Sequence, residues 1–395
     1  MVFVVKYLIN RLTPAILIYN EHQQFYQSFD DFTVLLFRFK PGRSSGVCYL
    51  KKRENPFKAI RHFAEYLLVL CAYTAVRWLP HEMVFKISSF CGFFLYMLPS
   101  VRCIAKANLK IFFPEKNDRE ISSIARESVS NIVLSVAELF WFSGRPEKIR
   151  EYLDFDPAIA REWESCVKDG RGLIYVCMHF GNWELAGLMI RAFVGDKFAV
   201  IARQVRNPML DALINKNRCT GGNRVIPAKG AVKEMMRALK DGYALATLVD
   251  QNTRVRDGGI FVNFLGLPVP VSRVPAMFGR KMNAAVVVCG CMRVGHRYKS
   301  YFAKLPRDTA DYADDLEMTQ DLMKIVEDIV RKNPEQYLWF YKRFQNIPMD
   351  AGEELIKKYP YYAKLSSERF YSKTNAQGKG THSKKTAAKS RKPTI

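Results

Sequence analysis

Short apolar runs alternate with amphipathic stretches through most of the chain. Runs rich in β-formers predict strands at residues 172–178, 198–202, 223–227, 244–249, 284–293 and 300–305. Helical patterns lie between or beside them, at 118–142, 158–168, 184–193, 208–219, 229–239 and 314–332. This alternation predicts an α/β fold, with a mostly parallel or mixed central sheet flanked by helices.

Two further helical patterns, at residues 62–80 and 83–98, precede this region. In the first, Glu65 and Arg77 bracket an apolar core that is shorter than the ~20 residues needed to span a membrane. We expect two N-terminal membrane-associated helices that lie against or dip into a bilayer, with Trp78 near the interface. A pair of buried core helices and a single true span are the alternatives.

The charge balance indicates an acidic partner. With 61 Lys and Arg against 38 Asp and Glu, the formal net charge is +23. This charge fits nucleic acid, an anionic membrane or an acidic carrier protein, although a basic surface without a specific partner is also compatible with it. The nine cysteines are scattered without a CxxC pair, which is typical of a reducing compartment. We found no zinc spacing, P-loop or GxSxG elbow, so no metal is expected.

The most informative stretch joins the 172–178 strand to the next helix. His179 follows the strand, Asn182 is placed to cap the helix, and Glu184 falls in its first turn. Ligands bind at the carboxyl ends of strands in open α/β sheets. A strand–turn–helix bend can bring Glu184 to His179, where a carboxylate would fix the imidazole tautomer. An ordinary hydrogen-bonded His–Glu pair is the alternative.

The sequence His179-Phe-Gly-Asn-Trp-Glu184 resembles the His-x-x-x-x-Asp/Glu block of the glycerolipid and lipid A acyltransferase superfamily. More narrowly, it resembles the lipid A late acyltransferases, the lauroyl and myristoyl transferases. Asp250-Gln251 also matches that family. The resemblance covers roughly residues 56–346. Besides the His179–Glu184 block, it includes four stretches in the same order as in the family, at 108–115, 203–211, 260–272 and 333–344.

This resemblance implies a reaction and its partners. A fatty acyl group would pass from acyl carrier protein to a hydroxyl of a 3-hydroxyacyl chain on a lipid A precursor. His179 would be the general base and Glu184 its partner, and no cofactor is expected. Acyl carrier protein, the acceptor and anionic membrane lipid would all be attracted to the basic protein. The expected location is the cytoplasmic face of the inner membrane, peripheral or with a single N-terminal anchor.

Further residues are candidates for substrate binding. Arg203 and Arg218 could clamp an acceptor phosphate, and Arg218 or the N–H groups of the 181–183 turn could stabilise the oxyanion. Asn182 is a third candidate. Asp250, at the end of a predicted strand, either positions a ligand or bonds the loop backbone.

The resemblance also divides the chain. The expected parts are an N-terminal extension at 1–55, membrane-associated helices at 56–100, an acyltransferase catalytic domain at 101–350 and a basic tail at 351–395. The extension carries a strand pattern at 32–37, and the tail beyond Ser372 has the composition of a disordered segment.

Glu138 lies in an apolar stretch and is interpreted as a structural ion-pair partner in preference to a part of the acceptor pocket.

Two other functions fit parts of the sequence. The acceptor of the same reaction could be another glycolipid, such as a phosphatidylinositol mannoside, or a lysophospholipid. From a different class, the charge and the tail could belong to a nucleic-acid-binding protein. No nucleic-acid motif is present and the basic residues are spread through an enzyme-like core, so nucleic acid is not expected as a partner.

Overall fold

The computed structural model describes residues 56–195, 197–219 and 223–372. The predicted strand at 32–37 and the basic residues beyond Ser372 lie outside the described residues. The first described helices are α1 (Pro56–Trp78), α2 (His81–Met97), α3 (Pro99–Phe112), α4 (Asp118–Phe142) and α5 (Pro146–Tyr152). The two helices expected between residues 57 and 100 are therefore present as α1 and α2.

Helix α4 is the scaffold on which the N-terminal helices pack. It begins with a capping box, in which the Asn117 side chain accepts from the Glu120 N–H and the Glu120 carboxylate accepts from the Asn117 N–H. Its buried face carries apolar residues at helical spacing, including Ile121, Ala125 and Val129. Helices α1, α2 and α3 all contact it.

Alternating strands and helices build the rest of the fold. The strands are β1 (Leu153–Asp154), β2 (Leu173–Cys177), β3 (Phe198–Ala202), β4 (Arg224–Pro227), β5 (Ala244–Leu248), β6 (Gly259–Phe264), β7 (Leu267–Ser272), β8 (Ala285–Val294), β9 (Arg297–Lys304), β10 (Asn346–Ile347) and β11 (Lys364–Leu365). The helices are α6 (Ala158–Lys168), α7 (Trp183–Phe193), α8 (Pro208–Arg218), α9 (Val232–Lys240), α10 (Val274–Met282), α11 (Asp315–Lys332), α12 (Glu353–Ile356) and α13 (Glu368–Tyr371).

Within the described residues, the central sheet has seven strands, in the order β1-β9-β8-β2-β5-β3-β4. All neighbouring pairs are parallel except β8 and β9, which form an antiparallel pair. Strands β6 and β7 make a separate antiparallel hairpin. The expected mostly parallel or mixed central sheet flanked by helices is therefore confirmed.

Hydrophobic side chains cover both faces of the sheet. Along β2, Ile174 and Val176 join one buried cluster, and Leu173 and Tyr175 join the other. This alternation follows from the two-residue period of a strand. Helices α9, α10 and α11 cover the first face, while α6 and α7 cover the second. Because both faces are buried, β2 is apolar at every position, and the chain becomes polar only where the strand ends at His179.

Candidate active site

The strand order places His179 beside Asp250. Strand β2 pairs in parallel with β5, in a register that joins Cys177 to Leu248. His179 follows the carboxyl end of β2, and Asp250 follows that of β5. Because neighbouring parallel strands end at the same edge of a sheet, two residues far apart in sequence meet there.

His179 and Asp250 form two hydrogen bonds. The His179 backbone N–H donates to Asp250 Oδ2 at 2.8 Å, and the ring Nδ1 donates to Asp250 Oδ1 at 2.8 Å. Burial opposes ionisation of Asp250, but the charge of His179 and its hydrogen bonds hold the Asp250 pKa below its ordinary value. When the ring carries a single proton, on Nδ1, its Nε2 has a lone pair that can accept a hydrogen bond. The arrangement suits a general base.

Gln251 occupies the open side of the imidazole. Its amide Nε2 lies 3.2 Å from His179 Nε2 and is oriented to donate to that nitrogen. Gln251 is half-buried, whereas His179 is only 6% exposed. The Trp183 ring packs beside the imidazole, with 5.2 Å between ring centroids. A hydroxyl that reaches Nε2 therefore has to displace Gln251. In the sequence this residue stood out only as part of the Asp250-Gln251 match.

Glu184 has a different partner from the one expected. Its Oε1 accepts from Arg218 Nη2 at 2.6 Å, and its Oε2 accepts from Arg218 Nε at 3.1 Å. Burial opposes ionisation of Glu184, but the Arg218 guanidinium holds its pKa below the ordinary value, and the charge of His179 acts in the same direction. The sequence predicts that Glu184 accepts the hydrogen bond from the His179 ring. In the structure Asp250 accepts it instead. The reason is that the first turn of α7 faces the last turn of α8, where Arg218 lies.

Arg203 and Arg218 differ in how accessible their guanidinium groups are to a substrate phosphate. Two of the three guanidinium nitrogens of Arg218 contact Glu184, and its side chain is only 15% exposed. Arg203 follows β3 and is exposed. Its charge, like that of Asp250, acts on the half-buried Tyr341, so Arg203 lies at the same edge of the sheet as the pair. Phosphate binding by either arginine stays a prediction.

Asn182 is fully buried. Its Oδ1 accepts from the Leu185 N–H at 2.8 Å, which confirms the expected helix cap. Its Nδ2 donates to Glu138 Oε2 at 3.0 Å. Both ends of the amide are thus engaged inside the protein, so the structure does not place Asn182 where a substrate would contact it.

The backbone of the His179–Glu184 turn is fixed by its surroundings. Gly181 N–H donates to the Gln336 carbonyl at 3.0 Å, and Asn182 N–H donates to the Cys291 carbonyl at 2.9 Å. Two of the three N–H groups expected to bind an oxyanion are therefore occupied, leaving that of Trp183. Gly181 has a φ of +56°, and a Cβ there would overlap the Cys291 carbonyl oxygen. Only glycine fits this turn.

Beneath the turn lies a buried polar network centred on Glu138. Its Oε1 accepts from His81 Nε2 at 2.7 Å and from Arg293 Nη1 at 3.0 Å. Its Oε2 accepts from Arg293 Nη2 at 2.9 Å, from the Tyr298 hydroxyl and from Asn182. Burial opposes ionisation, but Arg293 and His81 lower the Glu138 pKa to about 2. The interpretation of Glu138 as a structural ion-pair partner is confirmed.

The stretch at 333–344 closes over the site. Its carbonyls accept hydrogen bonds from side chains of α3 and α4: Asn108 donates to the Trp339 carbonyl at 2.6 Å, and Asn131 to the Glu335 carbonyl at 2.8 Å. A β-bridge joins Tyr337 to Phe180 in the His179 turn. Across the ranges that the structure describes, no group of three or more His, Cys, Asp or Glu is placed to hold a metal ion.

Comparison with known proteins identifies the family of this chain. Residues 50–346 match the bacterial lipid A biosynthesis acyltransferase family. The chain is 25% identical to the lipid A biosynthesis lauroyltransferase of Escherichia coli (strain K12), over 68% of this chain and 88% of that protein. It is 26% identical to the myristoyltransferase of the same strain, over 74% and 90%. It is 25% identical to lipid A biosynthesis acyltransferase 2 of Shigella flexneri, over 60% and 76%. Because the family match covers most of its length, the chain belongs to the bacterial lipid A biosynthesis acyltransferase family.

Proposed function

We propose that this protein transfers a fatty acyl chain from acyl carrier protein to a hydroxyl of a 3-hydroxyacyl chain on a lipid A precursor. The observation that carries the proposal is the His179–Asp250 pair. It holds an imidazole whose Nε2 faces the open side of the site and accepts from the Gln251 amide, which a substrate hydroxyl would displace. A hydroxyl is a weak nucleophile at neutral pH and needs such a base within hydrogen-bond reach.

The reaction then follows in two steps. The acceptor hydroxyl displaces Gln251 and gives its proton to His179 Nε2 as its oxygen attacks the thioester carbonyl. Asp250 stabilises the imidazolium that forms. The tetrahedral intermediate then collapses, the carbon–sulfur bond breaks, and the thiolate of the carrier takes the proton back from His179. The products are the new ester and the free carrier thiol.

The oxyanion needs a donor near the reacting carbon. With the Gly181 and Asn182 N–H groups already paired, we propose that Arg218 and the Trp183 N–H are the donors. Donors aimed at a developing oxyanion contribute about 3–4 kcal/mol each. Glu184 then acts as a positioning residue, since its two hydrogen bonds fix the Arg218 guanidinium.

The substrate pair is tested by combining two donors with two acceptors. Purified wild-type protein receives acyl carrier protein or coenzyme A loaded with a labelled acyl group. The acceptors are a Kdo-substituted lipid A precursor and a lysophospholipid. We expect product only from acyl carrier protein with the lipid A precursor. The curated relatives carry the names lauroyl-, myristoyl- and palmitoleoyltransferase, so a series of chain lengths is included. Folded protein that acylates only the lysophospholipid would contradict the proposal.

The N-terminal helices support a location at a membrane. Among the described residues, one helix, Phe57–Trp78, is long and apolar enough to cross a bilayer, and helices α2 and α3 meet at an 89° bend. Large apolar side chains of α1 and α2 are exposed: Ile60 60%, Leu68 61%, Trp78 85%, Phe90 65% and Phe94 55%. We propose that this apolar face contacts the cytoplasmic leaflet of the inner membrane, because exposed patches of this kind mark interaction surfaces.

The membrane contact is tested by the double substitution Phe90→Glu and Phe94→Glu. The two rings lie 4.8 Å apart on the exposed face of α2. Because charged groups do not enter the acyl region, we expect flotation with anionic vesicles to fall at least severalfold. The control is Val167→Glu on α6, where Val167 is 56% exposed, and it should float like wild type. Wild-type flotation of the double variant would show that α2 does not contact lipid.

A further inference from the structure

Arg343 is a buried cation without an ion-pair partner among the described residues. The residue is 2% exposed. Its Nη1 donates to Asn252 Oδ1 at 2.8 Å and to the Pro270 carbonyl at 3.3 Å. Its Nε and Nη2 are buried without a hydrogen-bond partner in the part of the chain that the structure describes. Burying a charge without a counter-ion in contact is unfavourable, so the fold tolerates this guanidinium at a cost.

Arg343 is tied to the loop that carries Asp250. Asn252, two residues beyond Asp250, receives a hydrogen bond from Arg343. The Asn252 N–H donates to the Tyr341 hydroxyl at 2.9 Å, and its side-chain amide donates to the Lys342 carbonyl at 3.0 Å. Three successive residues, 341–343, thus hold the loop at Asn252 and fix where Asp250 meets His179.

Arg343 also acts on Asp250 by charge. Burial raises the Asp250 pKa, while His179 and then Arg343 lower it. The charged and titratable groups that act on the pair or on its immediate neighbours are Glu184, Arg203, Arg218, Tyr301, Tyr337, Tyr341 and Arg343. Among the three cations, Arg218 is neutralised by Glu184, and Arg203 is exposed and screened by solvent. Arg343 is therefore the cation whose field is neither neutralised nor screened.

We propose that Arg343 is a positioning residue for acyl transfer: it clamps the 250–252 loop and places a fixed positive charge near the His179–Asp250 pair. The inference rests on the proposed function for its reaction and on the Arg343 contacts for its mechanism. A purely structural cross-link would not explain why a buried positive charge stands at Arg343 in the 333–344 stretch.

The test compares Arg343→Gln with Arg343→Lys and with Arg331→Gln, a charge removal at an α11 position that is 49% exposed. The ratio kcat/KM for acyl transfer is measured against pH. For Arg343→Gln we expect a roughly 10- to 100-fold loss near neutral pH from the loosened loop. We also expect the acidic limb of the profile to move to higher pH, because Asp250 is protonated more easily without the cation. Arg343→Lys should keep the limb in place, and Arg331→Gln should match wild type.

An equal loss at every pH, with the acidic limb unmoved, would overturn the inference and leave Arg343 as a cross-link. A second readout does not need turnover. The His179 Nδ1 proton, hydrogen bonded to Asp250, should give a downfield NMR signal that disappears on acidification at a higher pH in Arg343→Gln than in wild type. If wild type transfers no acyl group but this shift occurs, the proposed reaction is wrong and the role of Arg343 stands. If the signals of both proteins disappear at the same pH, the role fails.

Discussion

Replacing Asp250 with Asn should lower the rate of acyl transfer by about 10²–10⁴-fold. The Asp250 carboxylate accepts from both the backbone N–H and the ring Nδ1 of His179. An amide offers one acceptor oxygen and one donor nitrogen, so it cannot accept both bonds. The favoured solution turns the amide nitrogen toward Nδ1, which moves the ring proton to Nε2 and removes the lone pair that accepts the substrate proton.

Two further variants test whether the loss of acyl transfer is specific to Asp250. Asp241→Asn changes an exposed residue in the turn before β5 and should retain wild-type activity. Glu184→Gln should also reduce transfer, because it releases Arg218, but it should keep the downfield Nδ1 proton signal that Asp250→Asn loses. If that signal survived in Asp250→Asn and vanished in Glu184→Gln, then Glu184 would be the partner of His179, as the motif resemblance implies.

Replacing Glu138 with Gln should lower the free energy of unfolding by about 3–5 kcal/mol. Glu138 is fully buried and accepts hydrogen bonds from Arg293, His81, Tyr298 and Asn182. The substitution leaves the Arg293 charge buried without its counter-ion. The measurement is urea unfolding of the purified proteins. The control is Glu127→Gln, an exposed position on the same helix, which should stay within about 0.5 kcal/mol of wild type.

The loss of unfolding free energy in Glu138→Gln should also depend on pH. The Glu138 pKa, about 2 in the folded protein, lies below its ordinary value of 4.5. Its ionisation therefore stabilises the protein fully above pH 4.5, and this stabilisation is lost as the pH falls toward 2. The difference between wild type and Glu138→Gln should narrow over that window. A Glu138→Gln variant as stable as Glu127→Gln at neutral pH would show that the network adds nothing to the fold.

Local patterns were enough to predict most elements of the fold. The apolar run before His179 forms β2, its two-residue alternation separates Ile174 from Tyr175, and Asn182 caps α7. Each of these outcomes depends on neighbours within a few residues, which sequence periodicity reports directly. The sheet order was not predictable in the same way, because strand pairing is a choice among distant segments.

The partner of His179 shows where sequence reasoning stops. Glu184 is five residues away and favours a local pairing, whereas Asp250 lies 71 residues away. Only the placement of β5 next to β2 brings Asp250 to the ring. Had that neighbour relation been inferred, the polar Asp250-Gln251 pair at the end of β5 would have pointed to the site. The burial of Arg343 arises from similar long-range contacts that no local pattern encodes.

The most direct measurement is single-turnover transfer of a labelled acyl group from acyl carrier protein to a Kdo-substituted lipid A precursor, with wild type and His179→Gln compared at equal folded concentration. Mass spectrometry then locates the new ester. We expect wild type to place it on the hydroxyl of a 3-hydroxyacyl chain, and His179→Gln to be slower by about 10²–10⁴-fold. Transfer by His179→Gln at the wild-type rate would contradict the assignment of His179 as the base.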